Sequence, residues 1–244
     1  MPYSTKNYLI IFIFFAWACN KDNLVPPQNT GVNLPVRINY FVDDDALQFD
    51  TLHYKNAAGN QYSVTRLNYY ISNISLTTIN NTVVHLNSYF FVDARNQPNT
   101  LLLNNVPMDT YTAIKFDIGL NPDLNKHGQL QNTDDNISML WPDVMGGGFH
   151  FLKIEGQYQT PTSGMQGYAM HVGLNYFLIN HQSIATNYTV ASLNTDTLKL
   201  AMNINEWYKN PYTYNFYTDA NYTMGDTSTM LLLTNNGKDV FYAK

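Results

Sequence analysis

The feature that most constrains this chain is a run of strand-forming residues from Tyr62 to Leu76, YSVTRLNYYISNISL. β-branched and aromatic side chains dominate this stretch and favour extended backbone. Similar stretches recur between clusters of Asn, Gly and Pro, at Val36–Val42, Val83–Val92, Tyr111–Ile118, Phe149–Tyr158, Gly167–Leu178, Tyr188–Leu193 and Asp196–Asn203. Short strands separated by turn signals predict an all-β fold, an antiparallel β-sandwich with few short helices.

Helical signals are scarce. Glu206–Lys209 is a candidate turn, and Thr227–Phe241 is a candidate C-terminal helix. Asn235, Asn236 and Gly237 lie in the middle of the second candidate and disfavour helix there.

The N-terminus has the pattern of an export signal. Lys6 precedes an apolar run, Tyr8–Ala18, of 11 residues. A membrane-spanning helix needs about 20 apolar residues, so the run predicts a signal-peptide core. Ala16–Cys19 resembles a bacterial lipobox. We therefore expect residues 1–18 to be a lipoprotein signal peptide and the Cys19 thiol to be lipidated after cleavage.

The rest of the chain divides into a tether and one domain. Cys19 is the one cysteine among 244 residues, so no disulfide within the chain can form. Residues 19–33 are polar and contain prolines, which predicts a lipid-anchored tether. Residues 34–244 are enough for one domain with a sizeable core. The anchor makes the membrane a partner and places the protein in the bacterial cell envelope, periplasmic or surface-exposed.

Composition and motifs argue against several functions. The net charge of −5 argues against nucleic-acid binding. The sequence has no GxSxG, no phosphate-binding glycine loop and no HExxH. We therefore predict that the protein is not an enzyme. A hydrolase whose paired carboxylates come from distant strands remains open. The acidic run Asp43–Asp45 could hold calcium, although a solvated turn is the simpler interpretation.

The most distinctive segment is MLWPDVMGGGFHFLKIEG, from Met139 to Gly156. It combines methionines, Trp141 and His150 within a dozen residues. Thioether and imidazole groups suit copper, particularly Cu(I), better than calcium or magnesium. Met139 and Trp141 share a face if this piece is extended. A further histidine, His171, lies in the next strand signal.

Hairpin geometry limits how these histidines can meet. A symmetric hairpin of Phe149–Tyr158 with Gly167–Leu178 places His171 opposite Ile154, four residues from His150. At about 3.3 Å per residue this offset is about 13 Å, too far for one metal ion. A shared site therefore requires an asymmetric register or a bulge. Without one, each histidine is a structural residue.

Four other histidines and one carboxylate are further candidates for site residues. His53 is the candidate third ligand if the fold brings it to His150, whereas His85, His127 and His181 are expected to be ordinary strand or surface residues. Alternation puts Glu155 on the face opposite His150. Its expected role is a structural ion pair, or orientation of a metal-bound histidine.

A set of motifs in a fixed order resembles the MbnP-like copper-binding domain family. They are Leu67–Leu76, Tyr111–Gly119 with Asn125, Met139-x-Trp141, Gly147–Phe151 with Lys153, Glu155 and Gly156, His171-x-Gly173, and Ser228–Met230 with Asp239–Phe241. The resemblance covers most of residues 36–241. It implies a secreted or lipid-anchored β-sandwich associated with copper acquisition.

The resemblance also implies a site. In characterised relatives Cu(I) is bound by histidines together with a kynurenine that a di-haem peroxidase of the MauG-like type forms from a tryptophan. This implies ligation by His150 and His171 with Met139 and Trp141 nearby, and kynurenine at Trp141 or Trp207. The chain lacks the paired cysteines of some relatives. The alternative function is a metal-free envelope module that recognises glycan or protein through aromatic-rich surfaces.

Overall fold

The computed structural model describes residues 1–3, 31–96, 98–162, 164–191 and 196–244. Cys19, the predicted signal peptide beyond residue 3 and the predicted tether up to residue 30 lie outside the described residues. Within the described part, no helix is long and apolar enough to cross a membrane.

Strands account for most of the regular structure. In chain order they are β1 (Val32–Val42), β2 (Asp45–Ala46), β3 (Tyr54–Lys55), β4 (Gln61–Thr78), β5 (Val83–Leu86), β6 (Phe90–Asp93), β7 (Asn99–Val106), β8 (Thr110–Ile118), β9 (His150–Gln159), β10 (Met165–Gly173), β11 (Ile179–Asn180), β12 (Ile184–Thr189), β13 (Leu198–Asn203) and β14 (Phe241–Ala243). The α-helices are α1 (Asp134–Ser138) and α2 (Thr227–Asn236), and 3-10 helices span Asp143–Met145, Asn175–Phe177 and Ile204–Tyr208.

The strands form two sheets that pack as a sandwich. The smaller sheet has the order β14-β13-β1-β2, and β7 also pairs with β1. The larger sheet has the order β10-β9-β4-β8-β11, with β3, β5 and β6 on β4 and β12 on β8. The pairing is antiparallel apart from β1 with β13, which run parallel. The predicted all-β antiparallel sandwich is confirmed.

The main core lies between the two sheets. Along β1 the buried side chains alternate with more exposed ones, as a strand with one face in the core requires. In β4 the core face changes parity: Tyr69 and Ile71 face the core, and then Ile74 and Leu76 do. Asn73 absorbs the shift with a φ of 52° at a register irregularity.

A second apolar cluster covers part of the outer face of the larger sheet. It comprises Tyr70, Leu120, Leu130, Met139, Phe149 and Phe151. Most of its members come from the long connection between β8 and β9, which folds back over β4 and β9. This cluster holds the Met139 segment against the sheet.

Several predicted boundaries differ from the observed ones. The stretch Val83–Val92 is interrupted, since β5 and β6 are separate strands. The stretch Gly167–Leu178 ends as a strand at Gly173. The C-terminal helix ends at Asn236, and Gly237 is its C-cap with right-handed backbone geometry. The predicted turn at Glu206 is part of a 3-10 helix.

Candidate metal centre

The site is built on the β9–β10 hairpin. Its register pairs His171 with Lys153 and Val172 with Leu152, and then shifts so that Gly173 pairs with His150. The symmetric hairpin, which placed His171 opposite Ile154, was therefore wrong by one residue. The observed hairpin also contains a bulge at Phe151, which the symmetric hairpin did not include. A bulge adds one residue to one strand and changes where the following side chains point.

The bulge brings the two histidines together. The ring centroids of His150 and His171 are 4.9 Å apart, and the rings meet edge to face at 89°. Strict alternation also placed Glu155 on the face opposite His150. Instead, Glu155 bonds the same His171 ring that His150 contacts, because the bulge interrupts the alternation between positions 150 and 155.

His150 presents one free nitrogen. Its Nδ1 lies 3.1 Å from the Met139 carbonyl oxygen, which can only accept, so Nδ1 bears the hydrogen. Its Nε2 is buried and has no hydrogen-bond partner among the described residues. Burial, with Lys153 and His171 nearby, lowers the pKa of His150 to about 3. The ring is neutral at pH 7, and its Nε2 lone pair is available.

His171 is held by a carboxylate. Its Nε2 donates to Glu155 Oε1 at 2.9 Å, which leaves Nδ1 as the remaining nitrogen of the ring. The same oxygen accepts from Arg66 at 3.0 Å. The hydrogen bond from His171 is the main cause that lowers the pKa of Glu155. The backbone of His171 is fixed as well, since its N–H donates to Thr223 Oγ1 at 2.7 Å.

Trp141 closes one side of the histidine pair. Its ring centroid is 4.7 Å from that of His150, and its Nε1 donates to the Met145 carbonyl at 3.1 Å. A Cβ atom at Gly173 would lie 2.4 Å from the indole, so this position must lack a side chain. Trp141 packs in the main core and Met139 in the outer cluster, so the two side chains do not share a face.

Lys153 fixes the segment that supports His150. Its Nζ donates to the Ser138 carbonyl at 2.6 Å, at the end of α1. The next residue, Met139, supplies the carbonyl that bonds His150. Burial lowers the pKa of Lys153. The ammonium of Lys153 thus bonds the last carbonyl of α1 and not the carboxylate of Glu155.

The remaining candidates lie apart from this pair. His53 is exposed, lies 3.7 Å from Asp45 and has its ring contact with Tyr54. Trp207 is buried against Gly237. Over the described ranges no group of three His, Cys, Asp or Glu side chains is placed to share a metal ion. The centre therefore consists of two imidazoles beside an indole.

Some residues of the site had no functional prediction. Gly173 was part of a motif, but its role in admitting Trp141 was not evident without the register. Arg66 and Thr223 come from β4 and from the segment before α2, far away in sequence. Nothing in their sequence neighbourhood marks them, because their roles depend on tertiary contacts.

Fold and site together define a β-sandwich protein with a pair of histidines, His150 buried and His171 half-buried, on the bulged hairpin of its larger sheet. The MbnP family model matches residues 32–226, and the chain belongs to the MbnP family. Its fold is similar to the solved structure of MbnP from Methylosinus trichosporium, with a TM-score of 0.53 and 12% sequence identity. That match covers 86% of this chain and 96% of the other. No curated protein matches the chain.

Proposed function

We propose that the protein is a cell-envelope lipoprotein, anchored through Cys19, that binds copper as Cu(I) for acquisition or transfer without catalysing a reaction. The observation that supports this most is the buried Nε2 of His150, which has no partner among the described residues and lies beside an oriented second imidazole. Burying a polar atom without a hydrogen-bond partner costs free energy, and a bound ligand would supply the missing partner.

The chemistry of the pair fits Cu(I). Neutral imidazole nitrogens are suitable donors for copper, and the burial of His150 beside Trp141 limits the access of water. His150 would bind through Nε2 and His171 through Nδ1, because their other nitrogens donate to Met139 and Glu155. The low pKa of His150 removes competition by protons at neutral pH. The Met139 thioether is a less suitable ligand, since its side chain packs in the outer cluster.

Trp141 is the tryptophan we propose for conversion to kynurenine, with a di-haem peroxidase as the oxidising partner. Its ring contacts His150, whereas the ring of Trp207 packs against Gly237. A kynurenine here would add polar groups beside the pair. Native material would then show the mass increase of this oxidation at Trp141 by peptide mapping, and an unmodified Trp141 would contradict the proposal.

Competition titration of the soluble protein, residues 20–244, against a chromophoric Cu(I) chelator tests copper binding. We expect one tightly bound Cu(I) per chain, lost in His150→Ala and in His171→Ala. His85→Ala is the matched control, because His85 is an exposed histidine on β5. Tight binding that survives in both site variants would reject these ligands. No tight binding by the unaltered chain would reject the copper function.

A further inference from the structure

A groove of about 1060 Å³, lined by both polar and apolar side chains, crosses the outer face of the larger sheet. It runs over β5, β4, β8 and β11, and its volume is that of a small-molecule site, typically about 300 to 1000 Å³. The histidine pair lies on β9 and β10, further along the sheet: β8 and β9 lie on the same side of β4, where β8 pairs with the later part of the strand and β9 with the earlier part. No residue that lines the groove belongs to the histidine site, so the two are separate.

A buried carboxylate lies at the groove. Asp117 on β8 is only 6% exposed although it lies on the outer face of the sheet. It pairs with Ser72 on β4 and with Asn180 on β11. Its oxygens accept from the amides of Asn73 at 2.6 Å and Asn180 at 2.9 Å. In the described part of the chain it has no ion pair, and the side-chain groups that bond it are neutral amides.

The side-chain amides form a hydrogen-bonded network around Asp117 in which further N–H donors are not directed to Asp117. The Asn121 amide donates to Asn73 Oδ1 at 3.3 Å, and Asn73 donates in turn to Asp117. An amide group has two N–H donors, and each of Asn73 and Asn180 directs one of them to Asp117. The Ser72 hydroxyl, opposite Asp117 in the register, is buried without a partner among the described residues. The amides and Asp117 therefore place fixed donors and acceptors side by side along the groove, whose lining does not include Ser72.

The charges of the lining select a class of ligand. Lys115 and Asp117 lie on the same face of β8, and Asp123 adds a second carboxylate, so the charged side chains of the lining are one lysine and two aspartates. This balance disfavours polyanions and polycations. Hydroxyl groups both donate and accept, which matches a lining of amides and a carboxylate. Tyr89 adds an aromatic ring against which the C–H face of a sugar can pack.

From this arrangement we infer that the groove binds a neutral glycan and gives the protein a second binding function, independent of copper. The side-chain amides and Asp117 contact the sugar hydroxyls, and Tyr89 contacts a pyranose face. Bonds of ligand hydroxyls to the carboxylate replace hydrogen bonds to water and orient the sugar.

Affinity electrophoresis in native gels tests this binding. The gels contain dextran, soluble starch, laminarin or yeast mannan, and the protein is residues 20–244 as used for copper titration. We expect retardation by at least one of these neutral polysaccharides, reversed by its free oligosaccharides. Asp117→Ala should raise the Kd by about tenfold or more, which is the effect expected from losing one hydrogen bond to a charged group.

Two variants separate binding from folding. Ser75→Trp fills the groove from a half-buried position of β4 without removing any of the amide–carboxylate bonds, and it should abolish retardation. His150→Ala should remain retarded, because the histidine site is separate. Retardation that is unchanged in Ser75→Trp would overturn the inference. Migration unaffected by all four polysaccharides would overturn it as well.

Discussion

His150 lies opposite Gly173 across the bulge of the β9–β10 hairpin, and the indole of Trp141 covers this pair of positions. The glycine therefore has two consequences. It allows Trp141 to approach β10, and it lets the indole pack 4.7 Å from the His150 ring. The three residues form one packed unit, in which a change at position 173 must displace either the strand or the indole.

Gly173→Ala tests this packing. The added methyl group would lie 2.4 Å from the indole, so we expect a loss of stability of about 1 to 3 kcal/mol and weaker Cu(I) binding. Chemical denaturation and chelator competition measure the two effects. Gly167→Ala on the same strand is the control, because its nearest neighbour is the Tyr222 hydroxyl at 3.3 Å. Equal stability of the two variants would contradict the role of Gly173.

Glu155 is expected to act as a positioning residue. Its carboxylate fixes the His171 ring and is itself held by Arg66. Partners of this kind typically affect metal affinity by about 10- to 100-fold. Glu155→Ala should therefore lower Cu(I) affinity on that scale at unchanged stoichiometry. Glu155→Gln keeps an acceptor oxygen and should restore part of the affinity.

A second half-buried carboxylate, away from the histidines, provides the control for this prediction. Glu206 pairs with Lys209 at 3.1 Å in a 3-10 helix that holds neither histidine. Glu206→Ala should leave Cu(I) affinity unchanged. If Glu155→Ala binds Cu(I) as the unaltered chain does, the carboxylate has no part in orienting His171.

Fluorescence can show that metal binds beside Trp141. In the soluble protein the tryptophans are Trp141 and Trp207, and it is the ring of Trp141 that packs against a candidate ligand, His150. We expect Cu(I) to change the emission of unmodified protein, with the change retained in Trp207→Phe and absent in Trp141→Phe. A change that follows Trp207 instead would place the metal elsewhere.

Most of the longer strands were predictable from the sequence because alternation and β-branched residues signal them locally, but β7 (Asn99–Val106) was not predicted. The long strand β4 and strand β9 were predicted within two residues at each end, whereas β10 ends at Gly173 rather than at Leu178. The bulge at Phe151 was not predicted, because a one-residue shift in register depends on the turn and on packing rather than on local preference. The pairing of the histidines depends on this bulge. Family resemblance could therefore point to the site, whereas residue spacing alone placed the two histidines too far apart.

His181 shows the same limit. An Asn-rich turn predicts an ordinary surface residue at this position, but the side chain is 1% exposed. Its ring stacks on Phe116 at 5.3 Å, and both ring nitrogens are satisfied by backbone groups. Turn composition predicts exposure only on average. Here the ring of His181, which follows β11, is enclosed by neighbouring residues that include Phe241 at the start of β14.

Burial of His181 predicts acid sensitivity of the fold. Its Nε2 accepts from the Phe241 N–H at 2.9 Å, which requires an uncharged ring, and burial lowers its pKa from 6.5 to about 4. Between these values the unfolded chain binds a proton that the folded chain does not. The free energy of unfolding therefore falls as the pH falls from 6.5 to 4, by roughly 3 kcal/mol at the limit. In metal-free protein, His150 acts in the same direction.

Urea denaturation of metal-free protein at several pH values measures this loss. His181→Gln keeps an acceptor for the Phe241 N–H but cannot be protonated. We expect the variant to be less stable at pH 7, because it loses the ring contacts with Phe116 and Phe241. Its stability should depend less on pH between 6.5 and 4. Parallel pH profiles of the two proteins would show that another group causes the acid sensitivity.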